Sequence, residues 1–205
     1  MSGAAGFPQT LAIASRNPGK LREIRQICAG WPVRWVTFED EPDRWPEVVE
    51  TGTSYLENAR MKARAVAEAL GVPALADDSG IEVDALGGGP GARSARYAGE
   101  GATDRRNLDM LIRAIAGVPA SGRTARYRCV AIVVWPGGRD VWVEGVCEGS
   151  LVTRPRGSGG FGYDPIFVPA GREATMAELT PEEKDRISHR GRAFRALAER
   201  LGGPA

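Results

Sequence analysis

Apolar positions along the chain alternate between short continuous runs and stretches of helical spacing, and this pattern predicts an α/β fold. Leu11 to Ser15 reads as a strand, the turn formers Arg16-Asn17-Pro18-Gly19 follow, and Leu21, Ile24 and Ile27/Cys28 then recur at helical intervals. Val33 to Phe38 reads as a second strand, and the acidic, Pro-containing stretch 39–52 as a loop. Ser54-Tyr55-Leu56-Glu57 has the form of a capping box, opening a helix whose stripe runs Leu56, Ala59, Ala63, Val66 and Leu70 and stops at Gly71. Ala74 to Ala76 predicts a strand leading into Asp77-Asp78-Ser79-Gly80, with Ile81 to Ala85 beyond. Thr103 to Ala116 is a further amphipathic helix, ended by Gly117 and Pro119. Arg126 to Trp135 and Asp140 to Glu148 flank Pro136-Gly137-Gly138, the signature of a long antiparallel hairpin. The last helical region starts at Thr180-Pro181-Glu182-Glu183 and carries Ile187, Phe194, Leu197 and Leu201 inward. Together these elements make one α/β domain with a mixed sheet over residues 1–205, with 1–10 expected as a flexible N-terminal extension.

Composition narrows the function classes. The longest apolar run, Cys129 to Trp135, has seven residues, far short of the roughly 20 that a membrane span needs. The N-terminus has no basic-then-apolar pattern, so a cytoplasmic protein is expected. Formal net charge is +1, which argues against a nucleic-acid polymer as partner and leaves a small phosphorylated ligand open. Cys28, Cys129 and Cys147 are widely spaced, flanked by apolar residues and expected as buried thiols. Of the 27 basic residues only Lys20, Lys62 and Lys184 are Lys, the rest being Arg. In such a background a retained Lys marks a site that needs a compact ammonium, or survives by chance.

Four constellations can carry chemistry. Ser15-Arg16-Asn17-Pro18-Gly19-Lys20 lies at a strand-to-helix turn, where free backbone N–H groups, the helix dipole and Lys20 can cradle phosphate. The Walker A spacing is absent, and a plain turn has the same form. Asp77-Asp78-Ser79-Gly80 sets two carboxylates on opposite faces of an extended segment, so that one faces a ligand and the other anchors the loop between two strands. A carboxylate beside phosphates invites Mg²⁺, while a solvated turn is the plain alternative. Gly157 to Pro165 surrounds Phe161 and Tyr163 with small residues, offering a purine a stacking face. Lys184, Ser188, His189 and Arg190 cluster polar donors near the last helix; one His with scattered Cys cannot build a usual zinc site.

The ordered set SxNxxK, TSYLENAxxKA, DDSG, PGxxSARYxGE, GxGGFGYDPIF and EKxxISHR, spanning about Leu11 to Leu201, resembles the non-canonical purine NTP pyrophosphatases, also called inosine triphosphate pyrophosphatases. All three Lys fall inside these motifs. Members often carry Thr-Gly-Asn where this chain has Ser15-Arg16-Asn17, and Ser15 keeps the hydroxyl.

The resemblance implies a strongly twisted mixed sheet whose flanking helices form two lobes around a nucleotide cleft, and a homodimer. It implies hydrolysis of ITP, dITP and XTP to the monophosphate and pyrophosphate, which keeps these nucleotides out of DNA and RNA. Ser15 to Lys20, Lys62 and Ser79 would then bind the nucleotide. Asp78, as general base or water-orienting group, would hold Mg²⁺ together with Glu50, with Glu47 close by in sequence. Phe161, Gly162, Tyr163, Asp164, Lys184, His189 and Arg190 would take the base, Arg190 being the expected donor to its C6 oxygen. A sensor that binds without hydrolysis, or a pyrophosphatase for modified pyrimidines, would use the same cradle.

Overall fold

The computed structural model describes residues 6–203. Among them lie six strands in one sheet of order β2-β1-β3-β4-β5-β6. The elements run β1 (Thr10–Ile13), α1 (Pro18–Ile27), β2 (Arg34–Val36), α2 (Tyr55–Leu70), β3 (Ala74–Val83), α3 (Asp104–Ile115), β4 (Thr124–Val134), β5 (Asp140–Leu151), β6 (Phe167–Pro169), α4 (Pro181–Ile187) and α5 (His189–Arg200). The sheet is mixed, as expected. β1 runs parallel to β2, with Leu11 opposite Trp35, and to β3, with Ala12 opposite Ala74. β5 and β6 are antiparallel, with Ser150 opposite Val168. No helix among the described residues is long and apolar enough to cross a membrane.

The contacts divide the chain into two compact units, and β3, β4 and β5 have residues in both. The first unit comprises residues 6–78, 129–145 and 190–203 of those described. Its strands alternate side chains between two faces, so each face builds its own core. Ala12, Ala74, Ala76, Val130 and Ile132 pack with Ala59, Ala63, Val66 and Leu70 of α2. Leu11, Ile13, Leu75, Cys129 and Ala131 pack with Ile24 of α1 and Phe194 and Leu197 of α5. Phe7 sets its ring edge-on to Trp31 at 5.0 Å between centroids. The flexible extension expected over 1–10 therefore does not include Phe7 or Thr10; residues 1–5 lie outside the described residues.

Local chemistry explains where α2 begins and ends. The Ser54 hydroxyl accepts from Glu57 N, Glu57 accepts from Ser54 N, and Gly71 closes the helix at φ +70°. Only a residue without Cβ adopts that conformation cheaply.

The second unit, residues 79–128 and 146–189, is built on Ile81, Val83, Tyr127, Cys147 and Leu151 of the strands and Leu108, Leu111 and Ile115 of α3. Two sequence expectations change. Asp77-Asp78-Ser79-Gly80 is not a loop between two strands but the middle of one ten-residue strand. At Gly80 a Cβ would lie 2.2 Å from the Gly91 carbonyl oxygen, so glycine is used there for close approach rather than for a turn. The last helical region is not continuous either. Ser188 adopts an extended conformation at ψ 155°, ending α4 as its N–H donates to the Lys184 carbonyl, and α5 starts at His189.

Candidate active site

In the first unit the phosphate-cradle motif forms the turn from β1 into α1. Asn17 caps the helix, its Oδ1 accepting from Lys20 N at 3.0 Å, while its own N–H donates to Ser15 Oγ at 3.2 Å. Pro18 occupies the first helical turn, where no N–H is missed, and Gly19 is buried beside it. Arg16 turns away from this cap: its guanidinium lies 4.5 Å over the Phe38 ring and donates to the Trp45 carbonyl at 3.4 Å.

The two adjacent acids of β3 point to different partners, as the strand period requires. Asp77 is buried and pairs with Lys20 at 3.2 Å and with Arg190, whose Nη2 donates at 2.9 Å and Nε at 3.3 Å. Glu23 of α1 takes the other side of the Arg190 guanidinium. Burial pushes Asp77 upward, but the Lys20, Arg190 and Lys62 cations outweigh it and hold the carboxyl well below the usual carboxylate range. Asp77 is thus a permanent anion inside a cluster of two acids and two bases.

Asp78 faces α2. Asn58 Nδ2 donates to its Oδ2 at 3.1 Å, and the Lys62 ammonium lies 3.5 Å from its Oδ1. Lys62 also donates to the Asp77 carbonyl at 2.8 Å and pairs with Glu50 at 3.1 Å. Burial raises the Asp78 pKa and Glu50 adds to the rise, while Lys62, Lys20 and the Asn58 amide offset only part of it. For Lys62, burial acts to lower the pKa, and Asp78 and Glu50 together raise it above the ordinary value. A carboxylate short of positive charge beside a second one, both sharing a single ammonium, makes a set of hard oxygen donors suited to a divalent cation that also takes phosphate oxygens. No group of three or more His, Cys, Asp or Glu among the described residues is placed to cage a metal without such help.

The second unit carries the loop that the sequence offers as a stacking face. Asp164 organises it: Oδ2 accepts from Phe161 N at 2.9 Å and from the Lys184 ammonium, and Oδ1 accepts from the Tyr127 hydroxyl at 3.2 Å. Lys184 Nζ lies 5.3 Å from the half-buried Phe161 ring. His189 stacks on Tyr127, the rings 4.5 Å apart and 8° from parallel. Gly162 N donates to Asp104 at the start of α3, at 3.1 Å, which ties the loop to that helix. Ser79 is half-buried on β3.

A family model for the Ham1 family matches residues 11–200. The chain belongs to the Ham1 family. This agrees with the resemblance drawn from the six motifs. A dITP/XTP pyrophosphatase of Geobacillus kaustophilus is 49% identical over 189 residues, covering 92% of this chain and 92% of that protein. One of Streptomyces coelicolor is 50% identical over 189 residues, 91% of this chain and 94% of its own. Among solved structures, a HAM1 protein from Coxiella burnetii matches with a TM-score of 0.85 at 38% identity, over 95% of this chain and 99% of that one. A nucleoside-triphosphatase / dITP/XTP pyrophosphatase from Mycobacterium abscessus matches with a TM-score of 0.73 at 45% identity, over 92% and 98%.

Set against the motifs, the Ham1 chain departs from expectation at two residues. Arg190 was expected among the polar contacts to a base; its guanidinium instead engages Asp77 and Glu23 in the unit that carries the cradle. Tyr163 was expected at a base's edge, yet its ring is buried in the second unit's core and its hydroxyl donates to the Ser94 carbonyl at 2.7 Å. It props the loop from within. Sequence reasoning also missed Glu23, Asn58 and Tyr127. The first two had a usable signal, since Glu23 follows Lys20 by three residues and Asn58 precedes Lys62 by four, which puts each pair on one helical face.

Proposed function

We propose that this Ham1 chain hydrolyses non-canonical purine nucleoside triphosphates such as ITP, dITP and XTP to the monophosphate and pyrophosphate. The observation that carries the proposal is the pairing in one unit of a helix-capped cradle and Lys20 with a carboxylate, Asp78, raised in pKa between Lys62 and Glu50. The names of the relatives point to the same chemistry.

Ser15, Asn17 and the N-terminus of α1 bind the triphosphate, with Lys20 and Lys62 supplying positive charge. Asp78 orients the attacking water and takes its proton as it approaches the α-phosphorus. Lys20 and Lys62 stabilise the charge that builds on the departing pyrophosphate. Mg²⁺ held by Asp78 and Glu50 would neutralise phosphate charge and activate the water. The base stacks on Phe161, with Lys184 and His189 supplying donors that suit the C6 oxygen of hypoxanthine and xanthine. Adenine presents a donor there, and an unpaired buried donor costs about 1–3 kcal/mol. A homodimer and a cytoplasmic location belong to the same reading; light scattering and cell fractionation test them.

The experiment is product analysis with ITP, dITP, XTP, GTP and ATP, with and without Mg²⁺. Monophosphate and pyrophosphate should form fastest from ITP, dITP and XTP, and only with the cation. Orthophosphate as the first product, or equal rates with ATP, would refute the proposal.

A further inference from the structure

Asn58 is the fourth residue of α2 and is fully buried, on the side of the helix that carries Ala59, Ala63 and Val66 into the core. A carboxylate only accepts hydrogen bonds, so the Asn58 amide must turn its NH₂ group to Asp78, and the 3.1 Å bond from Nδ2 to Oδ2 has that sense. Its Oδ1 then points the other way, where it finds no hydrogen-bond donor among the described residues. Gly52 leaves room for that oxygen: a Cβ at position 52 would lie 2.5 Å from it.

Leaving half of a buried amide unbonded is unfavourable, and an apolar side chain would fill the same space without that penalty. The one bond the amide does make goes to Asp78. One helical turn on, Lys62 addresses the other oxygen, Oδ1, at 3.5 Å. Helix α2 therefore assigns one donor to each oxygen of the carboxylate. The ammonium is shared with Glu50, whereas the Asn58 side-chain amide has no second partner among the described residues.

We propose that Asn58 is a positioning residue for hydrolysis: by holding Oδ2 of Asp78 it stops the carboxylate rotating and leaves Oδ1 as the oxygen that works on water. The proposal rests on the assignment of Asp78 made above. Asn58 is fully buried and directs its side-chain bond to Asp78, so its loss acts on the chemical step rather than on substrate affinity.

The test compares Asn58→Ala with Asn58→Asp, which keeps the size of Asn but replaces the donor by a second acid, alongside Asp78→Asn. For Asn58→Ala, kcat with ITP should fall about 10- to 100-fold, the scale of a misplaced catalytic group, with KM within about threefold. Asn58→Asp should be at least as impaired. A space-filling residue would give the reverse order, with Asp tolerated better than Ala. That order, a kcat within about twofold of the parent for Asn58→Ala, or a KM that rises as much as kcat falls, overturns the proposal. Should Asn58→Ala fail to fold, Asn58→Ser is held to the same criteria. Turnover surviving in Asp78→Asn would sink the assignment of Asp78 itself; loss there with normal turnover in Asn58→Ala sinks only the positioning role.

Discussion

Asp77 and Asp78 are neighbours in β3, yet their surroundings push them in opposite directions. Asp77 meets Lys20 and Arg190 and is held low; Asp78 is raised by burial, with Glu50 adding to the rise and Lys62, Lys20 and Asn58 offsetting only part of it. Strand geometry alone separates them, because consecutive side chains leave opposite faces. Separating two adjacent acids in this way holds one as a fixed charge and shifts the other toward taking up a proton, as the proposed water-orienting role requires.

Arg190→Ala follows from the Asp77 side of that contrast. Removing one partner from a buried ion pair leaves an uncompensated charge, a loss of about 3–5 kcal/mol. The melting temperature should drop sharply, and activity on ITP and ATP should fall by one common factor. A changed ITP-to-ATP ratio in this variant would return Arg190 to the base-reading role.

Lys20→Ala removes the ammonium that lies between Asp77 and the cradle. Steady-state kinetics with ITP should show a higher KM and a lower kcat, since charge near the phosphates serves both binding and the leaving group. Lys20→Arg should recover only part of the loss, because the planar guanidinium is longer and less tightly hydrated. Full recovery would contradict a requirement for an ammonium.

Gly160→Ala tests the base loop. Gly160 has φ +68°, and a Cβ there would lie 2.0 Å from Asp164 Oδ2 and 2.9 Å from Lys184 Nζ. The substitution strains the backbone and forces that ion pair apart. KM for ITP should rise while kcat changes little; an unaltered KM would show that the pair has no part in recognising the base.

The parts of this architecture that were legible in the sequence are those fixed by local chemistry. The Ser54–Glu57 box and Gly71 give both ends of α2, and Pro136-Gly137-Gly138 gives the hairpin between β4 and β5. β3 was hidden because Asp-Asp-Ser-Gly has the composition of a turn. It can continue as a strand because Lys20, Arg190, Lys62 and Asn58, from three separate helices, satisfy its acids. The break at Ser188 carries no Gly or Pro to announce it, and β6, three residues long, is too short to show a period. For the site, spacing singled out Lys20, Lys62 and Asp78, and the fold brings both ammonium groups to the Asp77 carbonyl on β3. The partners of Arg190 and the burial of Tyr163 depend on tertiary contacts that no local pattern encodes.

The most direct test of the central claim measures kcat with ITP and thermal melting for Asp77→Asn and Asp78→Asn side by side. Asp78→Asn should melt within a few degrees of the parent and lose turnover, about 100-fold or more, because the amide neither accepts the proton nor carries the charge. Asp77→Asn should melt well below the parent, as it removes the carboxylate that the buried Arg190 guanidinium and Lys20 share and leaves their charge uncompensated. Near-parental turnover in a folded Asp78→Asn protein would contradict the account and move the hydrolytic role to another group.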